Sequence, residues 1–144
     1  MSRGSPDYVG KQAFPLYGPS TLEFQEYTVD AFGFTDVFSL AGMGYILGGL
    51  IRVNCGVGIT SDQAGLIIDG NSIQRRTFQV MYDYGLHKLP ELPLSMLRLG
   101  ADGYSASLLI GGRLTFEESL VIEYSPSSLD DRLVKTHLWY AKVT

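Results

Sequence analysis

The sequence predicts an all-β protein, a single antiparallel β-sandwich of jelly-roll type with an extended N-terminal arm. Three observations carry this. Short apolar segments alternate with period two, glycine-rich turns separate them at short spacing, and no amphipathic helix of useful length interrupts them. The clearest segment runs from Gly111-Gly112 to Tyr124. Its even positions are Leu114, Phe116, Glu118, Leu120, Ile122 and Tyr124, and its odd positions are Arg113, Thr115, Glu117, Ser119, Val121 and Glu123. A strand sends successive side chains to opposite faces, so the even row lies on a core and the odd row meets water. Glu118 breaks the even row. The interruption at Glu117-Glu118-Ser119 predicts a bulge or bend, which lets the strand cross a sandwich corner or keeps Glu118 at an edge.

The other elements follow in order. Residues 1–20 hold Gly, Pro and Ser throughout and show no period, with Tyr8, Phe14 and Tyr17 spaced between. Such an arm cannot build a core alone, so when ordered it lies against something. Its aromatics suit anchors on a neighbouring subunit better than on its own domain. The sandwich domain then covers 21–144. Leu22-Glu23-Phe24-Gln25-Glu26-Tyr27-Thr28-Val29 alternates with a slip of phase, which predicts an edge strand with a bulge. Asp30-Ala31-Phe32-Gly33 is a turn, Thr35 to Ala41 a short strand, and Tyr45 to Asn54 a buried strand broken by Gly48-Gly49.

Gly65 to Ile68 reads as a strand entering a hairpin at Asp69-Gly70-Asn71, residues that tolerate positive φ. Ile73 to Tyr84 reads as the return strand, with Phe78, Val80 and Tyr82 on one face. Residues 85–103 contain Pro90 and Pro93 and no clean period. They predict a long loop, with Leu94 to Leu99 able to form one helical turn. Tyr104, Ala106, Leu108 and Ile110 face inward on the next strand. Arg132 to Thr144 is apolar on both faces and is central or covered by a partner subunit.

Composition limits function. At 144 residues the chain has the length of one domain. Charged residues are 18%, below the usual share of about 25%, which points to surface covered by neighbours. Net charge is -4, and Lys11, Lys88, Lys135 and Lys142 form no cluster, so no nucleic-acid partner is expected. The single cysteine, Cys55, allows no disulfide within the chain and reads as a buried, inert thiol. The most apolar stretch, Ala41 to Val53, is interrupted by four glycines and Arg52. It reads as core strands, and no membrane partner and no leader are expected.

The catalytic constellations are missing. Gly42-Met43-Gly44 with Gly48-Gly49 fails the spacing of a dinucleotide loop. His87 and His137, the only histidines, carry no second ligand at metal-site spacing. Glu117 and Glu118 point to opposite faces, and Asp130-Asp131 is a solvated turn. Asp62 and Asp69 lack the ligand density of a calcium loop. The sequence therefore predicts no enzyme, no catalytic or metal-binding residue and no cofactor. Nine Tyr and Trp139 leave sugar binding open beside a role in core and interface.

The segments Gly65-Leu66-Ile67-Ile68-Asp69-Gly70, Gly111 to Tyr124 and Trp139-Tyr140-Ala141-Lys142-Val143 resemble small virion proteins of tailed bacteriophages. The resemblance covers about half the chain and lies in core strands, so it transfers no functional residue. It implies a jelly-roll domain, commonly a homotrimer, that decorates or cements the capsid surface. The implied partners are the chain itself and a major capsid or other virion protein, and the implied location is the virion after synthesis in the host cytoplasm. Tyr8, Phe14 and Tyr17 are the expected partner-binding residues of the arm. Similar sandwiches in tails and fibres keep a receptor- or carbohydrate-binding module as the alternative.

Overall fold

The computed structural model describes residues 18–83, 93–100 and 103–143. The expected contacts of Tyr8, Phe14 and Tyr17 lie outside these residues. The described chain is an antiparallel β-sandwich. Its strands are β1 (Thr21–Val29), β2 (Thr35–Ala41), β3 (Gly44–Asn54), β4 (Gln63–Ile68), β5 (Asn71–Thr77), β6 (Leu94–Leu99), β7 (Ser105–Ile110), β8 (Leu114–Phe116), β9 (Ser119–Ser125) and β10 (Arg132–Lys142), with one short helix, α1 (Phe78–Asp83). One sheet has the order β1-β10-β3-β7-β6, with β8 also on β3; the other has the order β2-β9-β4-β5. The chain switches sheets from β1 to β2, β2 to β3, β3 to β4, β5 to β6, β8 to β9 and β9 to β10.

Alternation explains how each strand meets the core. Ala106, Leu108 and Ile110 of β7, Ile51 and Val53 of β3, and Val134 and Leu138 of β10 line one inner face. Leu120, Ile122 and Tyr124 of β9 with Leu66 of β4 line the other, and all are essentially inaccessible. Tyr104, expected in this row, precedes β7 and is about half exposed instead.

The Gly111–Tyr124 segment divides at the place its sequence marks. Leu114-Thr115-Phe116 pairs with β3 in the larger sheet. Ser119 to Ser125 pairs with β2 and β4 in the smaller one. Glu117 and Glu118 are the crossing, and Asp69 holds it. The Asp69 carboxylate accepts the backbone N–H groups of Glu117, Glu118 and Ser119 at 2.7–3.1 Å. Asp69 can do this because it stands in the β4–β5 hairpin turn with φ 52°, next to Gly70 at φ 80°. Positive φ at both central residues is the two-residue turn that suits the twist of paired strands.

Three expectations are corrected. Ile73 to Tyr84 is not one strand: β5 ends at Thr77 and α1 begins. Thr77 Oγ1 accepts the Val80 N–H at 3.2 Å, and the carbonyls of Asp62 and Thr60 accept the N–H groups of Phe78 and Gln79. These satisfy donors that a helix start leaves open. The helix buries Phe78 and Met81, three residues apart, and leaves Tyr82 exposed.

Leu94 to Leu99 is a strand and not a helical turn. Pro93 sits just before it, where its missing N–H costs nothing, and its carbonyl accepts the Gly111 N–H at 2.9 Å. A register shift between Met96 and Arg98 destroys the period that would have marked it.

The phase slip in β1 is not a bulge. Thr21 to Val29 pairs one for one with Tyr140 to Arg132. Leu22 and Phe24 face outward, and Tyr27 and Val29 belong to the inward row of the same regular edge strand. The slip records two apolar faces. β10 is central, between β1 and β3, the first of the two placements that its two apolar faces suggest.

Candidate interaction surface

Two arrangements outside the apolar core invite a functional reading. The first is a buried polar cluster at one end of the sandwich. Asp62 stands just before β4, Tyr124 is in β9, Ser127 follows it, and Arg132 opens β10. Arg132 Nε donates to Asp62 Oδ2 at 2.8 Å and its Nη2 donates to Oδ1 at 3.1 Å. The Tyr124 hydroxyl donates to Oδ2 at 2.5 Å, and the N–H and hydroxyl of Ser127 donate to Oδ1 at 2.8 and 2.7 Å. The third guanidinium nitrogen donates to Ser128 and to the Asp130 carbonyl.

Both side chains of the ion pair are fully buried. Burial opposes the charge on Arg132, but the hydrogen bond and the charge of Asp62 outweigh it and hold its pKa above the ordinary value. The Tyr124 hydroxyl is raised well above the ordinary range, first by burial and then by the Asp62 charge it would have to face. Every polar group here already has a partner. The cluster therefore fastens β10 of one sheet to β4 and β9 of the other.

The second arrangement is the outer face of the larger sheet. Alternation sets Leu22 of β1 beside Trp139 of β10, with Gly48 of β3 beyond it. The next outward row is Phe24, His137, Leu50 and Leu109, and the one after that is Glu26, Lys135, Arg52 and Ser107. Two apolar rows thus adjoin one charged row. Leu22 is 69% exposed, Phe24 49% and Trp139 48%. Gly48 puts no side chain beside Trp139, and Phe24 rests on His137 with ring centres 4.7 Å apart. His137 itself is partly buried in β10.

At the same end, Tyr140 donates to Glu23 Oε1 at 2.7 Å. Burial, and then this bond, push its pKa up to about 12. A single exposed Leu or Phe is ordinary on a protein surface; three large ones at neighbouring positions of two strands make this face the candidate for interaction.

The outer face of the smaller sheet is different. Glu123 of β9, expected to meet water, is buried. It pairs with Arg75 of β5 across Gly65 of β4, and the guanidinium lies 4.2 Å from the centre of the Phe34 ring. Cys55 is half-buried against the core and not fully enclosed as expected. Asp130 and Asp131 are exposed, as is the Glu117-Glu118 crossing. Among the described residues no group of three or more His, Cys, Asp or Glu could hold a metal ion, and no helix is long and apolar enough to cross a membrane.

Neither the Leu22–Phe24–Trp139 strip nor the Asp62 cluster was assembled from the sequence. The two-faced pattern of β1 was the signal for the strip. An arginine opening an otherwise apolar strand was the signal for the cluster, but nothing in the sequence points to Asp62 as its partner. No family model matches the chain, and no curated protein is similar to it in sequence.

Proposed function

We propose that this protein is a non-enzymatic structural subunit that works by association, and that it serves as a capsid decoration (cement) protein of a tailed bacteriophage, self-associated as a homotrimer. The observation that carries the reading is the exposed apolar strip of Leu22, Phe24 and Trp139. Covering it removes apolar area from water, the main driving force of association. The low charged share supports the same reading. So does strand order. In both sheets a late strand, β10 or β9, lies between two early ones, which is the order expected of a jelly roll. A cement role follows from linkage, because a protein that binds only the assembled lattice stabilises it. Sedimentation at micromolar concentration tests association: a trimer is expected, and a monomer overturns the reading. Binding to capsids stripped of the protein tests the location.

The alternative, a receptor- or carbohydrate-binding module of a tail or fibre, has one observation in its favour. The exposed indole of Trp139, with Phe24 nearby and the charged row beyond, is the type of aromatic platform on which sugar rings stack. A glycan screen read by Trp139 fluorescence separates the two readings.

A further inference from the structure

We propose that residues 1–17 of one copy lie on the Leu22–Phe24–Trp139 strip of the next copy, so that association proceeds by exchange of arms. This rests on the self-association reading above and names the occupant of its surface. The described chain begins at Gly18, whose N–H donates to the Lys142 carbonyl at 2.7 Å. Pairing of β1 with β10 is one for one back to Thr21 opposite Tyr140. At Gly18 the chain therefore still runs along the line of β1, beside the last residues of β10. A straight continuation clears the end of the sheet and leaves its own strip behind. Reaching that strip would need the chain to reverse its direction within residues 1–17. Reaching a neighbour needs none, since 17 residues extend to about 56–61 Å.

The chemistry of the segment matches the surface. Residues 1–17 carry Tyr8, Val9, Phe14, Leu16 and Tyr17 and only three charged side chains, Arg3, Asp7 and Lys11. The strip offers two apolar rows and a half-exposed indole paired with Gly48, which has no side chain to cover it. The contact pairs an arm with a sheet face, two different surfaces, so it is head-to-tail. Such contacts close into a ring when the rotation allows, as a trimer does.

Trp139 is the only tryptophan of the chain and reports directly on the strip. The full chain is compared with two full-length variants, Tyr8→Ser/Phe14→Ser/Tyr17→Ser in the arm and Leu22→Lys/Phe24→Lys on the strip. Circular dichroism confirms that each is folded. Each variant alone is expected to sediment as a monomer with Trp139 emission shifted to the red. Mixed, they are expected to form a one-to-one heterodimer, because one still supplies a strip and the other an arm, and the emission moves back to the blue. Dilution of the full chain shifts emission to the red as copies separate. A full chain that is monomeric at every concentration overturns self-association and the exchange with it. An arm variant that keeps the oligomer leaves self-association standing and overturns the exchange. Blue emission that does not change on dilution to monomer shows an arm on its own strip and also overturns it.

Discussion

Arg132 and Asp62 form a two-pronged ion pair, at 2.8 and 3.1 Å, with neither side chain exposed to solvent. They join the first residue of β10 to the residue before β4, and so join the two sheets. Replacing one partner leaves a buried charge with nothing to face it. Asp62→Ala or Arg132→Ala is expected to cost about 3–5 kcal/mol in a denaturant titration. The double change Asp62→Leu/Arg132→Met should cost less than the two single changes added together, because it removes both charges. Additive losses would mean that the two residues do not act as a pair.

The row that identifies the core makes a second prediction. Phe116 is 1% exposed and Ile122 is fully buried, one on each side of the sheet crossing. Phe116→Ala or Ile122→Ala leaves a cavity, and each should cost about 2–5 kcal/mol. A loss below about 1 kcal/mol would mean that the core refills the space at little cost.

The strands legible in the sequence are those with one apolar and one polar face. Leu120, Ile122 and Tyr124 against Ser119 and Val121 needed only period two, and Asp69-Gly70 announced its own turn. Legibility failed where two periods coincide or where register slips. From Phe78 to Met81 a strand and a helix both keep apolar residues in step, and only the backbone acceptors at Asp62 and Thr60 decide for the helix. β6 carries a shift at Leu97, so its period was absent. The strip was visible as apolar residues on both sides of β1, but a single sequence does not say whether such a pattern is a bulge or a second face. The Asp62–Arg132 pair spans 70 residues and leaves no local trace.

Gln74 supplies a third prediction. Its amide donates to the Leu94 carbonyl at 2.8 Å and accepts the Leu94 N–H at 3.0 Å, as a backbone group would. One side chain thus links β5, an edge of the smaller sheet, to β6, an edge of the larger. Gln74→Leu strands both backbone groups of Leu94 and should cost about 1–3 kcal/mol. Gln74→Glu keeps the acceptor and loses the donor, so its loss should be smaller. A neutral Gln74→Leu in thermal unfolding would show that water replaces the clasp.

Asp69 makes the pH dependence predictable. The N–H of Glu118, then those of Ser119 and Glu117, favour its charged form and hold its pKa below the ordinary carboxylate value. In the window between the folded and unfolded values the unfolded chain binds more protons, so stability rises with pH there. The contribution of Asp69 is therefore fully present above about pH 4 and is lost as pH falls through the depressed value. Asp69→Asn keeps the left-handed backbone at φ 52°, which asparagine tolerates, but removes the titrating charge. Urea midpoints measured between about pH 6 and pH 2 should fall more steeply for the native chain than for this variant. Alkaline solution supplies an internal control, since the same substitution leaves the raised Tyr140 hydroxyl untouched and both proteins should lose stability together above about pH 10. Equal acid slopes for the two proteins would show that the three N–H groups do not hold the Asp69 carboxylate, and that the crossing from β8 to β9 is fixed by the strands alone.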